Sequence, residues 1–332
     1  MARLRNFVFF LSVLSLAPMT ICSQDLSTLY PDSTLRYWQA RYAPNIMYNL
    51  EEVVLPELTA DESSVLGPVR VDFPLVGSYG DPLNFYSDVL GRVIFMPILS
   101  IKFVDDLSVA EAWLEAKGVG YGRIADYIAM LKYKKPSEFP GGRYLPPLQA
   151  MNIPNDALND AAVNDTSQKI LKSAIVWIMA HELGHLYHRH PSYNAVSAAV
   201  ARDNETEADN FATEMMRRIG VVPVGAGIYM LAAVNWCGNR GDFSTEGEYE
   251  DYLRRANHPI TSERLNNLAQ LIELSADDFA RKEPNRSSAL VATHKVAEQF
   301  RELSKILSDS SFQAFFRARV EAMDPAALGK YP

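Results

Sequence analysis

Residues 165–191 read DTSQKILKSAIVWIMAHELGHLYHRHP. Asp165, Thr166 and Ser167 offer helix caps, and Pro191 is a stop signal. The stretch between them, Gln168 to His190, is compatible with helix throughout. From Ala174 to Ala180 it is apolar almost all round, a pattern that helices show when neighbours cover every side. A buried helix of this length belongs at the centre of a mainly helical body. Its last turns spell His181-Glu182-Leu183-Gly184-His185. Histidines four apart share one helix face, so both imidazoles can reach one metal ion. Glu182 stands about a quarter-turn round, beside the metal rather than on it, which is the mechanical content of H-E-x-x-H. Chance produces this pentapeptide in a chain of such length about once in a hundred, so its surroundings have to carry the rest.

Working downstream, a catalytic zinc takes three protein ligands and keeps one position open for water. The third ligand is expected from a separate helix. Asn204-Glu205-Thr206-Glu207-Ala208-Asp209 supplies it. Glu205 and Asp209 are four apart and share a face. Glu205 is placed to ligate, and Asp209 to accept a hydrogen bond from the far nitrogen of a ligand histidine. Glu207 points elsewhere. Read alone, the stretch is an acidic helix N-terminus favoured by the macrodipole. Following H-E-x-x-H by 20 residues, it reads as the ligand helix. That helix is expected over Glu205–Ile219, with Gly220 as its C-cap and Phe211, Ala212, Met215 and Met216 turned inward. A further helix is expected over Val224–Trp236, then a polar loop at Gly238–Gly247, and helices again near Pro259 and over Ala289–Met323.

His181-Glu182-x-x-His185 followed by Asn204-Glu205-x-x-x-Asp209 resembles the gluzincin clan of zinc peptidases, whose thermolysin-like members share the Asn-Glu-x-x-x-Asp pattern. The C-terminal half further resembles the HtpX and CaaX-prenyl-protease family, including its periplasmic BepA-like members. The matching residues are Glu205-x-Glu207-Ala208-Asp209, Met215 to Gly220 leading into the helix at Val224, and His258-Pro259 with Arg264. The likeness spans about Ser167 to Leu274. The gap from His185 to Glu205 is shorter than usual there, as for a missing insertion or a sister family such as the ImmA/IrrE-like peptidases. The resemblance implies a zincin-like α+β fold and one Zn2+ per chain. It also gives His258 and Arg264 places near the metal, His258 as a regulatory fourth ligand. Glu182 is then the general base that takes a proton from water and returns it to the leaving amine. Arg264, His258 and Tyr252 are the oxyanion donors to choose among.

Upstream the pattern is mixed. Strands are expected at Val69–Val76 and Val93–Val104, rich in β-branched and aromatic residues. A helix at Leu107–Lys117 would be capped by Asp105 or Asp106. Another is expected over Arg123–Tyr133, before a Pro/Gly-rich loop at Pro136–Pro147. The fold class expected is therefore α+β, mainly helical with a small sheet in the N-terminal half. An α+β scaffold part at 24–164 would join a helical zinc-site part at 165–332 in one catalytic domain.

Residues 1–23 read as a signal peptide. Arg3 and Arg5 precede an apolar run from Phe7 to Leu16, Pro18 ends it, and Cys22 and Ser23 offer a cleavage site. The chain is then expected to be exported, periplasmic or secreted. The alternative is a membrane anchor, through an uncleaved N-terminus or a lipid on Cys22. No other stretch is long and apolar enough to span a bilayer. Only Cys22 and Cys237 occur, so the mature chain would lack an internal disulfide. The net charge is -8 in 332 residues, which excludes an electrostatic footprint for nucleic acid or anionic lipid. Asn164, Asn204 and Asn285 head N-x-[ST] triplets. A glycan on Asn204 would obstruct the site, which favours a bacterial periplasmic setting. Among the remaining histidines, His188 lies near the metal face or complements the helix dipole, His190 is expected to face solvent, and His294 needs no function.

The first function expected is a zinc endopeptidase acting on exported or envelope proteins, with protein or peptide as its partner. The second is a metal-bearing binding or chaperone-like module with latched or absent proteolysis, the latch being His258. The third is a buried helix that spells H-E-x-x-H by coincidence.

Overall fold

The computed structural model describes residues 24–191, 196–256 and 258–330; the signal-peptide reading and Cys22 lie outside them. The chain is mainly helical with one small sheet. Its N-terminal part holds helices α1 (Asp32–Asn49) and α2 (Ala60–Leu66), then strands β1 (Arg70–Asp72), β2 (Tyr86–Asp88) and β3 (Val93–Phe95). Helices α3 (Ile98–Ala116), α4 (Gly122–Tyr133) and α5 (Pro147–Ala150) lead to α6 (Ala161–His188). After it come α7 (Ala198–Ile219), α8 (Val224–Trp236), α9 (Glu246–Arg255), α10 (Ser262–Leu274), α11 (Ala276–Phe279), α12 (Arg286–Ser308) and α13 (Ser310–Ala322). β3 lies between the other two strands, parallel to β1 and antiparallel to β2, so β2 is a sheet edge.

α6 is the axis of the fold. It packs against α3, α7 and α8, and touches β2 and α2. Every residue from Ser173 to Leu186 is buried, as the all-round apolar run requires. Its true N-cap is Asp160, which accepts from the Ala162 and Val163 N–H groups at 2.9 and 3.3 Å. The helix therefore begins a turn before the Asp165–Ser167 caps, which lie within it. α8 runs over the bounds that the sequence suggests. One hydrophobic cluster joins residues from both parts of the chain, from Leu35 and Phe103 to Trp177, Trp236 and Phe300.

Three expectations upstream are corrected. The strand expected over Val93–Val104 is a three-residue strand followed by α3, which Pro97 introduces as N-cap. A continuous apolar run has no period to separate strand from helix, and Ile98, Leu99, Ile101, Phe103 and Val104 are buried on all faces. Asp105 and Asp106 consequently cap nothing. They sit inside α3, where Lys102 bridges both at 3.2 and 2.5 Å. The Tyr42 and Tyr30 hydroxyls donate to them at 2.6 and 2.7 Å, which ties α1 and the segment before it to α3. The strand expected over Val69–Val76 is likewise reduced to β1.

Downstream, α7 starts at Ala198 under a Ser197 cap, two turns before the expected start at Glu205. Arg218 near its end forks onto Glu62 of α2 at 2.6 and 3.0 Å, a bidentate pair that fixes the N-terminal part against α7. No helix among the described residues is long and apolar enough to cross a membrane.

Candidate metal centre

α6 and α7 approach closely because Gly184 has no side chain. A Cβ there would stand 2.9 Å from Ala208 Cα and 3.1 Å from Phe211 Cβ. Closeness brings three groups to one point. His181 Nε2 and His185 Nε2 face each other at 3.0 Å. Glu205 sends Oε2 to 3.6 Å from the first and Oε1 to 3.4 Å from the second. All three residues are buried, Glu205 completely. His258 joins them, and the four ligand atoms lie within 4.8 Å of one another.

Each group is held from behind. Trp177 stacks on the His181 ring, with centroids 5.4 Å apart. His181 Nδ1 lies 2.9 Å from Asp209 Oδ1, at ion-pair distance without the alignment of a full hydrogen bond. Arg264 donates to both oxygens of Asp209 at 2.7 and 2.8 Å, and its third nitrogen reaches Glu205 Oε2 at 2.5 Å. His185 Nδ1 faces His190 Nδ1 at 2.8 Å.

The charges explain how a carboxylate survives there. Burial raises the Glu205 carboxyl, but Arg264 and His258 outweigh it and hold the group well below the usual carboxylate range. Asp209 is lowered in the same way by Arg264. Burial, reinforced by His181, pushes His185 well below the usual histidine range. The donor set is thus two imidazoles, one of them kept neutral, and one carboxylate kept ionised, with converging lone pairs. That chemistry fits a divalent ion such as zinc. Glu182 adds an Oε2 that is out of solvent and, among the described residues, without a hydrogen-bond partner, beside this convergence.

Glu182, His185 and His258 line a cleft of about 800 Å³. The end of α6 and the turn after it, with Leu186 and His190, add to this wall, and the opposite one comes from α2 and the β2–β3 region, including Leu66, Tyr86, Val89 and Leu90. Leu90 is 97% exposed. The sheet edge β2 thus borders the same space as Glu182, His185 and His258.

The structure brings together His181, Glu182, His185, Glu205, Asp209, His258 and Arg264. Arg264 is fully engaged by Asp209, Glu205 and the Pro259 carbonyl, which leaves it a holder of acids rather than an oxyanion donor. His258 keeps Nδ1 on Glu205 at 3.1 Å and Nε2 at 3.0 Å from the Phe85 carbonyl, 3.6 Å from Glu182 Oε1. Tyr252 is occupied elsewhere, its hydroxyl accepting from the Gly238 N–H at 2.8 Å. His190, expected at the surface, is buried and part of the centre. Phe85 and Tyr229 were not singled out by the sequence. Tyr229 packs on Trp177 and Phe85, and only its place on the apolar helix α8 could have pointed to it.

Residues 128–282 match the family model Peptidase U49. The U49 match contains every residue of the cluster, from His181 to Arg264, and supports a proteolytic function. It leaves out β2, β3 and Phe85, so the cleft's second wall lies outside it. It does not single out the HtpX and CaaX-prenyl-protease resemblance. No curated protein and no solved structure matches the chain.

Proposed function

We propose that the chain is a zinc-dependent endopeptidase with a zincin-like catalytic core, acting on exported or envelope proteins. The observation that carries this reading is the convergence of His181 Nε2, His185 Nε2 and Glu205 on one buried point beside a cleft. His181, His185 and Glu205 would hold one Zn2+. When bound, the ion supplies Lewis acidity, activating water and polarising the scissile carbonyl. Glu182 accepts the proton from water on its carboxylate and passes it to the leaving amine. Its Oε2 is an acceptor with no competing donor among the described residues. Asp209 and Arg264 hold His181 and Glu205 in place. β2 offers its edge to an extended peptide, the mode of strand addition. His258 would donate toward a developing oxyanion only once its Nε2 leaves the Phe85 carbonyl. The N-terminal sequence supports export to the periplasm or beyond.

A second reading is favoured by one contact. His258 bridges Glu205 and the Phe85 carbonyl, so it lies between a ligand and the entry to the sheet edge. A latched module, silent until His258 moves, would use the same residues.

Metal content and casein cleavage of native protein, Glu182→Gln and His258→Ala separate these readings. One zinc per chain with cleavage lost in Glu182→Gln supports the enzyme. Cleavage that arises only in His258→Ala supports the latch. Absence of zinc from native protein sinks both.

A further inference from the structure

His190 reaches the metal centre through a turn that the chain does not make cheaply. Arg189 follows α6 in the left-handed conformation, with φ 57°. A side chain other than glycine meets steric resistance there, its Cβ crowding the following carbonyl oxygen. The turn closes a Schellman-type cap, in which His190 N–H donates to the His185 carbonyl at 3.1 Å and Arg189 N–H to that of Leu186 at 3.3 Å. It folds the His190 ring back onto the His185 ring, with centroids 5.0 Å apart.

The protons along this contact can be counted. His190 Nε2 lies 2.9 Å from Glu207 Oε2. An ionised carboxylate only accepts, so His190 Nε2 carries a hydrogen. In a neutral His190 the Nδ1 lone pair is then bare, and it accepts from His185 Nδ1–H across 2.8 Å. A neutral His185 that donates from Nδ1 keeps a lone pair at Nε2, the atom that faces His181 and Glu205. His188 stacks on His190 with ring planes 9° apart and keeps it flat against this line.

We propose that His190 and Glu207 are a positioning pair for His185, setting its tautomer and ring angle so that Nε2 presents a lone pair. The proposal rests on His185 being a metal ligand. The two ligand histidines are then supported differently. His181 has a buried acid, Asp209, while His185 has a second histidine and an acid whose side chain is 53% exposed. A carboxylate at the surface thereby sets the state of a nitrogen deep in the centre.

Zinc affinity, measured by competition with a chromogenic chelator, tests the pair in full-length native protein, His190→Ala, Glu207→Ala and the double variant. Weakening by about 10–100-fold is expected in His190→Ala, and a smaller loss in Glu207→Ala. The double variant should bind no more weakly than His190→Ala, because the two groups act in series. Added imidazole should restore part of the loss in His190→Ala. Equal affinity in native protein and both single variants overturns the proposal. So do additive losses, or a second zinc held by His188, His190 and Glu207 in native protein. Ring-nitrogen NMR of metal-free protein decides the same point independently. Native protein should show His185 protonated at Nδ1, and Glu207→Ala, at an exposed position, should show a mixture. Should native protein bind no zinc, the metal reading falls, and an unchanged His185 spectrum in Glu207→Ala would overturn the pair separately.

Discussion

Arg264 meets Asp209 through two parallel hydrogen bonds of 2.7 and 2.8 Å, wholly inside the protein. Its remaining nitrogen holds Glu205. One cation thus compensates two buried carboxylates that face His181 and His185. Arg264→Met should cost about 3–5 kcal/mol, the penalty for leaving buried charge unpaired. Arg264→Lys restores the charge but not the fork, and should recover only part of it. Urea unfolding of metal-free protein measures both, and a loss below about 1 kcal/mol for Met would contradict the assignment.

Metal removal is expected to be a stability event. On the proposed reading zinc would bind the folded state through three groups from two helices, so saturation at about a thousandfold over Kd should add about 4 kcal/mol. Treatment with a chelator should lower the melting temperature of native protein. The same treatment should leave Glu205→Gln unmoved, since that variant lacks the third ligand. An equal shift in both would mean that the chelator acts elsewhere.

Gly184→Ala pits two effects against each other. Alanine improves helix propensity by about 1 kcal/mol, but its Cβ would press on Ala208 Cα and Phe211 Cβ at 2.9 and 3.1 Å. Backbone cannot yield as a flexible side chain can, and overpacking of this kind costs about 1–3 kcal/mol. A net loss of stability, accompanied by weaker zinc binding as α7 is pushed off α6, is the expected result. A variant more stable than native protein with unchanged zinc affinity would show that the helices have slack.

Glu111 on α3 gives a pH dependence outside the centre. Burial, with Glu115 adding to it, pushes its carboxyl from 4.5 up to about 8, and its Oε2 has no hydrogen-bond partner among the described residues. In the unfolded chain the group loses its proton near 4.5, whereas the folded protein retains it to about 8. Stability is therefore lost as pH rises through that window. Each tenfold change in proton affinity between the two states is worth about 1.4 kcal/mol, so a gain on the order of 4 kcal/mol is expected for Glu111→Gln at about pH 8, and none at about pH 4. A pH-independent difference between the two proteins would refute this.

The centre was legible in the sequence where spacing alone decides geometry. Four-residue intervals place His181 with His185 and Glu205 with Asp209, whatever the rest of the chain does. Val224–Trp236 was legible because Pro223 and the apolar run bound it. His190 was not, because its position depends on a left-handed residue at Arg189, where sequence statistics expect glycine. Glu207 was read as turned away from Glu205, which it is, but its partner there could not be named without that turn. The Asp105–Asp106 pair was misread because acids before an apolar run normally cap helices, and only Lys102, Tyr30 and Tyr42 make them tolerable inside one. The cleft's second wall was invisible, since β2 and Phe85 lie nearly a hundred residues upstream and carry no motif.

β2 is a strand with one side unclaimed by its own sheet, beside the cleft. A sheet edge of this kind bonds to main chain, and only to main chain that is extended and has nothing else to bond to. On the proposed reading, selection among clients would be made by foldedness more than by spelling. A well-packed protein would pass untouched, while the same protein, slow to mature or damaged after export, would expose a length of backbone that fits.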